Sequence, residues 1–155
     1  MSERVSATIN GAPFEGEVEP HELLLDFLRD RLGLTGAKQS CEVQVCGVCT
    51  VLVDGNPVSS CCYLAADIAG RQVETIEGLV GSDFHQRAVA AFMRHAAVQC
   101  GFCTSGMLLT AKALAGRGIG GDRDEIAAAM SGNLCRCTGY RSILDSLTEI
   151  LSEPR

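Results

Sequence analysis

The sequence predicts an α+β chain: a small mixed sheet packed on one helix, followed by an all-helical half. Three observations lead there. Two hairpin signals, Asn10-Gly11 and Asp54-Gly55-Asn56, each lie between short segments of strand character. From Ser82 onward the hydrophobic period becomes helical. The nine cysteines fall into two groups, one in each half, with Cys62 left over.

Taken in order, residues 5–9 alternate and residues 13–18 return across Asn10-Gly11. Residues 21–32 predict an amphipathic helix with Leu24, Phe27, Leu28 and Leu32 on one face. Residues 50–53 and 57–59 form the second hairpin, and 73–76 a short closing strand. The boundary between halves falls around Glu77 to Ser82. Beyond it, residues 84–98, 101–114, 124–130 and 142–151 predict four helices. The Gly116 to Gly121 stretch is a linker, and Asp122 is positioned to cap the helix that follows.

At 155 residues the chain can hold one ordinary domain or two small ones. With 46% hydrophobic and 21% charged residues it has a globular, not a disordered, composition. A formal charge of −6 argues against nucleic acid as a partner. The start, Met1 to Ser6, lacks the basic segment and long apolar run of a signal peptide. The longest apolar region, residues 88–98, is broken by Arg94 and His95, so no direct membrane insertion is expected. The expectation is a cytoplasmic protein. In a reducing compartment, nine cysteines point to metal ligation rather than disulfides.

Cys41, Cys46 and Cys49 form C-x4-C-x2-C, and Cys61 follows after eleven residues. This is the plant-type 2Fe–2S spacing, whereas zinc sites usually combine C-x2-C with a second such pair or with histidines. Gly47 lets the loop turn tightly and brings backbone N–H groups toward sulfur. In the second half Cys100 and Cys103 precede a helix, whose N-terminus favours thiolates, and Cys135 and Cys137 form C-x-C near Gly132-Asn133 and Gly139. On spacing alone these four could hold a 2Fe–2S cluster or zinc. Cys62 reads as a bystander packed against the core. His21, His85 and His95 show no ligand-like pairing with the cysteines. The glycines from Gly116 follow a helix rather than a strand, so they are no dinucleotide fingerprint. No catalytic constellation stands out.

Three segments, residues 41–51 (CEVQVCGVCTV), 99–107 (QCGFCTSGM) and 132–140 (GNLCRCTGY), closely resemble the iron–sulfur small subunit of molybdenum hydroxylases, the xanthine dehydrogenase family. Leu34-Thr35-Gly36-Ala37-Lys38 and Glu74-Thr75-Ile76-Glu77-Gly78 extend the likeness over nearly the whole chain. The resemblance implies a β-grasp ferredoxin-like domain (1–78) and a four-helix domain of internal two-fold character (79–155). It implies one 2Fe–2S cluster on Cys41, Cys46, Cys49 and Cys61, nearer a flavin. A second, on Cys100, Cys103, Cys135 and Cys137, would lie nearer molybdenum, with Gln99 and Cys137 beside the pterin. Electrons would pass from molybdopterin, as its cytosine dinucleotide, on a large subunit through both clusters to FAD on a medium subunit. The assembly implied is a dimer of heterotrimers, with no substrate chemistry on this chain. Two departures stand out: Gln44 occupies a usual glycine position, and Ser105 a usual proline position. The competing readings are an independent two-cluster ferredoxin, which leaves the helical half without a reason, and a zinc-stabilised interaction module.

Overall fold

Asn10 and Gly11 both take positive φ, 51° and 80°, and close the first hairpin as the dipeptide demands. The structure, a computed structural model, describes residues 2–152; Met1 and residues 153–155, the outer ends of the two predicted ranges, lie outside them. Strands β1 (Glu3–Ile9) and β2 (Ala12–Val18) pair antiparallel, and β3 (Thr50–Val53) and β4 (Asn56–Ser59) form the second hairpin. With β5 (Gln72–Glu74) they make one sheet in the order β2-β1-β5-β3-β4. The β1–β5 contact is parallel and the others antiparallel. The mixed sheet on a helix is the expected ferredoxin-like arrangement.

The first helix is shorter than its periodicity predicts. Helix α1 spans Leu24–Asp26 and runs on as a π-type turn over Phe27–Arg31. Its expected first residues are drawn into other pairing: Leu24 N donates to Tyr63 O (2.7 Å) and Ala65 N to Glu22 O (2.8 Å). The apolar face still does what the pattern requires, since Leu24, Leu25, Phe27 and Leu28 are fully buried under the sheet.

Strand β3 is buried at every position and divides its side chains between two cores. Val51 and Val53 point into the core under α1, whereas Leu52 belongs to the helical core. The period of two thus joins the two halves through one strand.

In the helical half lie α2 (Ile76–Leu79), α3 (Asp83–Arg94), α4 (Thr104–Gly116), α5 (Arg123–Ala129) and α6 (Arg141–Ser152). Residue Ile76, expected at the end of a strand, instead opens α2. Helix α4 is buried from Gly106 to Ala111 without a break, which marks a central helix rather than a surface one. Asp122 caps α5 as expected, accepting from Asp124 N and Glu125 N at 2.9 Å each. Helix α3 stops at Arg94, four residues early. Ala96 turns left-handed (φ 50°), Ala97 N donates to Phe92 O (2.8 Å) and Ala96 N to Met93 O (3.2 Å). That is the Schellman closure, here made without the glycine that usually signals it.

A polar clasp holds the start of α2 against the sheet half. Asn10 Nδ2 donates to Thr75 Oγ1 (2.9 Å), and Thr75 N donates to Asn10 Oδ1 (2.8 Å). Thr75 Oγ1 donates to Glu77 Oε2 (2.6 Å), while Gly36 N donates to Glu77 Oε1 (2.7 Å). Burial pushes the Glu77 carboxyl up, but these two donors outweigh it and hold the group below its usual 4.5. A depressed carboxylate contributes stability above its ordinary value and loses it as pH falls. Glu77→Gln is therefore expected to lower stability at pH 7 by about 1 kcal/mol and to shrink the loss on acidification from pH ~5 to ~3. Denaturant midpoints at both pH values check this; an unchanged acid dependence would count against the clasp.

Candidate metal centres

The sulfur atoms meet in pairs. In the second half Cys137 Sγ lies 3.5 Å from Cys100 Sγ, and Cys103 and Cys135 interact thiol to thiol. In the first half Cys41 interacts with Cys46, and Cys49 with Cys61. Two sulfurs on one tetrahedral metal, each at about 2.3 Å, lie about 3.8 Å apart. The Cys100–Cys137 separation suits two thiolates on one metal. The pairs of each group also lie near one another, so each set of four thiols can surround one small metal centre.

The first group sits on the loop between α1 and β3 and on the turn after β4. Val45 N and Cys46 N each reach Cys41 Sγ at 3.4 Å. The amides of Val43, Val45 and Cys46 together hold the Cys41 thiol down to about 6. Such donors stabilise thiolate charge and tune a bound cluster. Burial pushes Cys49 up to about 11, so its proton must leave when a metal binds. Cys49 and Cys61 are buried, while Cys41 and Cys46 are partly exposed.

The second group is built at a helix start and a turn. Cys103 is the N-cap residue of α4, and Gly101 (φ 79°) bends the chain just before it, so the helix begins three residues later than its period predicts. Burial pushes Cys103 up to about 12. Burial also works against ionised Cys135, but the Thr138 hydroxyl and the amides of Cys137 and Thr138 prevail and hold it low. Thr138 Oγ1 donates to Cys135 Sγ (3.2 Å), and Cys135 N donates to Tyr140 Oη (3.0 Å). Thr138 and Tyr140 are positioning residues that the cysteine spacing did not reveal. The available signal is the Thr138-Gly139-Tyr140 run directly after Cys137; in the structure a left-handed Gly139-Tyr140 step (φ 67° and 68°) folds the tyrosine back. Gln99, Cys100 and Cys137 are all exposed, forming the outer edge of this group.

The two groups are directly connected. Leu134 N, one residue before Cys135, donates to Cys46 O at 2.9 Å, and Asn133 Nδ2 donates to Gly47 O at 3.2 Å. Gly47 has φ 70°, and a Cβ there would overlap Gly132 O; a Cβ on Gly106 would overlap Gly47 O. Gly47 thus serves close approach between halves as well as the turn.

Exposed apolar side chains surround both groups. Val43 and Val45 are 65% and 57% exposed on the first loop, and Phe102, Leu134 and Tyr140 stand out around the second. Cys62 departs from its expected place in the core: it is exposed. Gln44 is exposed too and sits at φ 58°, a conformation that glycine enters without steric cost. Gln44→Gly is expected to stabilise the loop by about 1 kcal/mol and to shift the first cluster's potential through altered solvent access. A redox titration that finds no movement would sink the second part. Ser105 Oγ is buried without a hydrogen-bond partner, a cost that a proline at that position would not carry.

Residues 7–76 match the family described as "2Fe-2S iron-sulfur cluster binding domain", and residues 75–148 match "2Fe-2S binding domain". The nicotinate dehydrogenase small FeS subunit of Eubacterium barkeri is 43% identical over 139 residues, covering 90% of this chain and 88% of that one. The xanthine dehydrogenase iron-sulfur-binding subunit of Escherichia coli O157:H7 is 40% identical over 151 residues, covering 94% and 92%. Quinoline 2-oxidoreductase from Pseudomonas putida 86 superposes with a TM-score of 0.90 at 48% identity, covering 97% of this chain and 93% of that one. For aldehyde oxidoreductase from Desulfovibrio gigas the TM-score is 0.88 at 35% identity, covering 96% of this chain but 17% of that one.

Proposed function

Because this chain belongs to the small iron–sulfur subunits of the molybdenum hydroxylase (xanthine dehydrogenase) family, we propose that it relays electrons between two partner subunits. It is a subunit of an oxidoreductase. In this reading residues 1–78 and 79–155 are the two domains. Cys41, Cys46, Cys49 and Cys61 hold one 2Fe–2S cluster, and Cys100, Cys103, Cys135 and Cys137 hold the other. When bound, the clusters accept and release single electrons, so the chain would carry them from a molybdopterin cytosine dinucleotide on a large subunit toward FAD on a medium subunit.

The observation that carries the proposal is the Leu134 N to Cys46 O hydrogen bond of 2.9 Å. It ties a residue of the first thiol group directly to the neighbour of Cys135. Gln99 and Cys137 on the outer edge of the second group would face the pterin, with Phe102 and Tyr140 excluding water there. Val43 and Val45 would be covered at the other end. Apolar surface at both ends suits a chain held between two permanent partners. No helix among the described residues is long and apolar enough to cross a membrane. The proposed setting is a cytoplasmic dimer of heterotrimers.

Metal analysis of the tagged chain, purified gently from its native host, tests this. About four irons per chain with molybdenum and two larger co-eluting subunits is the expected result. Iron without molybdenum or partners would favour an independent ferredoxin, and zinc in place of iron would overturn the reading.

A further inference from the structure

The first thiol group contains a fifth sulfur. Cys62 follows Cys61 on the short turn after β4, and its Sγ lies 3.8 Å from Cys61 Sγ. That is the spacing of two thiolates on a single tetrahedral metal. The side chain is exposed; its thiol also lies 3.7 Å from Glu42 O and beside the Gln44 amide. Glu42 lies beside Cys41, so Cys62 sits on the rim of the four-cysteine set rather than away from it. Cys61 is buried, and its thiol is already paired with Cys49. We propose that Cys62 is an interchangeable ligand: it can replace Cys61 on the iron that Cys49 also holds.

The inference rests on the two-cluster reading above. In the exchange, the Cys62 thiol gives its proton to water and its sulfur forms the Fe–S bond. The Cys61–iron bond breaks and Cys61 takes up a proton, with no electron transferred. In the exchange Cys62 leaves its contacts with Glu42 O and the Gln44 amide, both on the exposed first loop. Sequence reading alone misses this, since neighbouring side chains ordinarily diverge and here the turn over Ser60–Cys62 brings both sulfurs to one side.

The test compares wild type, Cys61→Ala, Cys62→Ala and the double variant, each as the full chain in its complex. Iron content, the electron paramagnetic resonance of each reduced cluster, and alkylation of Cys62 by iodoacetamide are read. Wild type and Cys62→Ala should hold about four irons, with Cys62 of the wild type readily alkylated. Cys61→Ala should keep about four irons with an altered first-cluster signal, and its Cys62 should react at least about tenfold more slowly. The double variant should fall to about two. The inference is overturned if Cys61→Ala already falls to about two irons and its Cys62 stays as reactive as in wild type. The second-cluster signal reports whether each variant folds, and Cys61→Ser is read in the same way should the alanine variant fail. A wild-type chain without about four irons would overturn the two-cluster reading itself and this inference with it.

Discussion

Gly106→Ala is expected to lower the unfolding temperature by about 10 °C, corresponding to about 3 kcal/mol in a chain of this size. Gly106 lies inside α4 with ordinary helical geometry, so alanine suits the local backbone and would even favour the helix. The penalty comes from overlap. An added Cβ meets Gly47 O, with Gly47 C at 3.2 Å and Val48 Cα at 3.3 Å. These are backbone atoms of the first cysteine loop, and no rotamer change can move them aside. The loop would have to withdraw, stretching the Leu134–Cys46 and Asn133–Gly47 hydrogen bonds that hold the halves together. Calorimetry gives the stability, and magnetic coupling between the reduced clusters reports their separation. A variant that melts with wild type and keeps the same coupling would show that α4 does not hold the loop by contact.

The second large effect is expected from Cys135→Ala. This thiol is buried, pairs with Cys103, receives the Thr138 hydroxyl, and follows the residue bonded to Cys46. Among the described residues no cysteine outside the two sets of four lies beside it, whereas Cys62 lies beside Cys61. Iron should fall from about four to about two per chain, while the first cluster's signal persists. If the chain relays electrons as proposed, substrate-driven reduction of the partner's FAD should slow at least a hundredfold, since even outer residues around metal ligands cost about 10- to 100-fold. Iron analysis and stopped-flow flavin absorbance check the two parts. Full iron content with normal flavin reduction would remove Cys135 from the relay.

The Ala96 closure of α3 and the early stop of α1 show where local signals gave out. Helix α3 carries no glycine or proline at its end, and its apolar period continues past Arg94. The stop comes from burying Ala97 beside the helical core and from the chain's need to turn toward Cys100. At α1 the expected first turn is diverted into bonds with residues 63–65, about forty positions away in sequence. In both cases a nonlocal partner outweighed a modest local preference.

What the sequence determined by itself was whatever depends on neighbours within a few positions. Asn10-Gly11 and Asp54-Gly55 made hairpins because those residues enter left-handed backbone cheaply. Asp122 capped α5 because its carboxylate reaches free amides two and three residues on. The cysteine spacings and motif segments carried the family, because ligand geometry constrains short stretches of chain. Tertiary structure alone decided how the halves meet. The fit of Gly47 between Gly106 and Gly132, the division of β3 between two cores, and the Leu134–Cys46 bond all join residues tens of positions apart. So do the positions of the inner and outer cysteines. Cys62 is exposed at the rim of the first group rather than buried because the turn after β4 directs it there, and the path of that turn is set by packing against the rest of the fold.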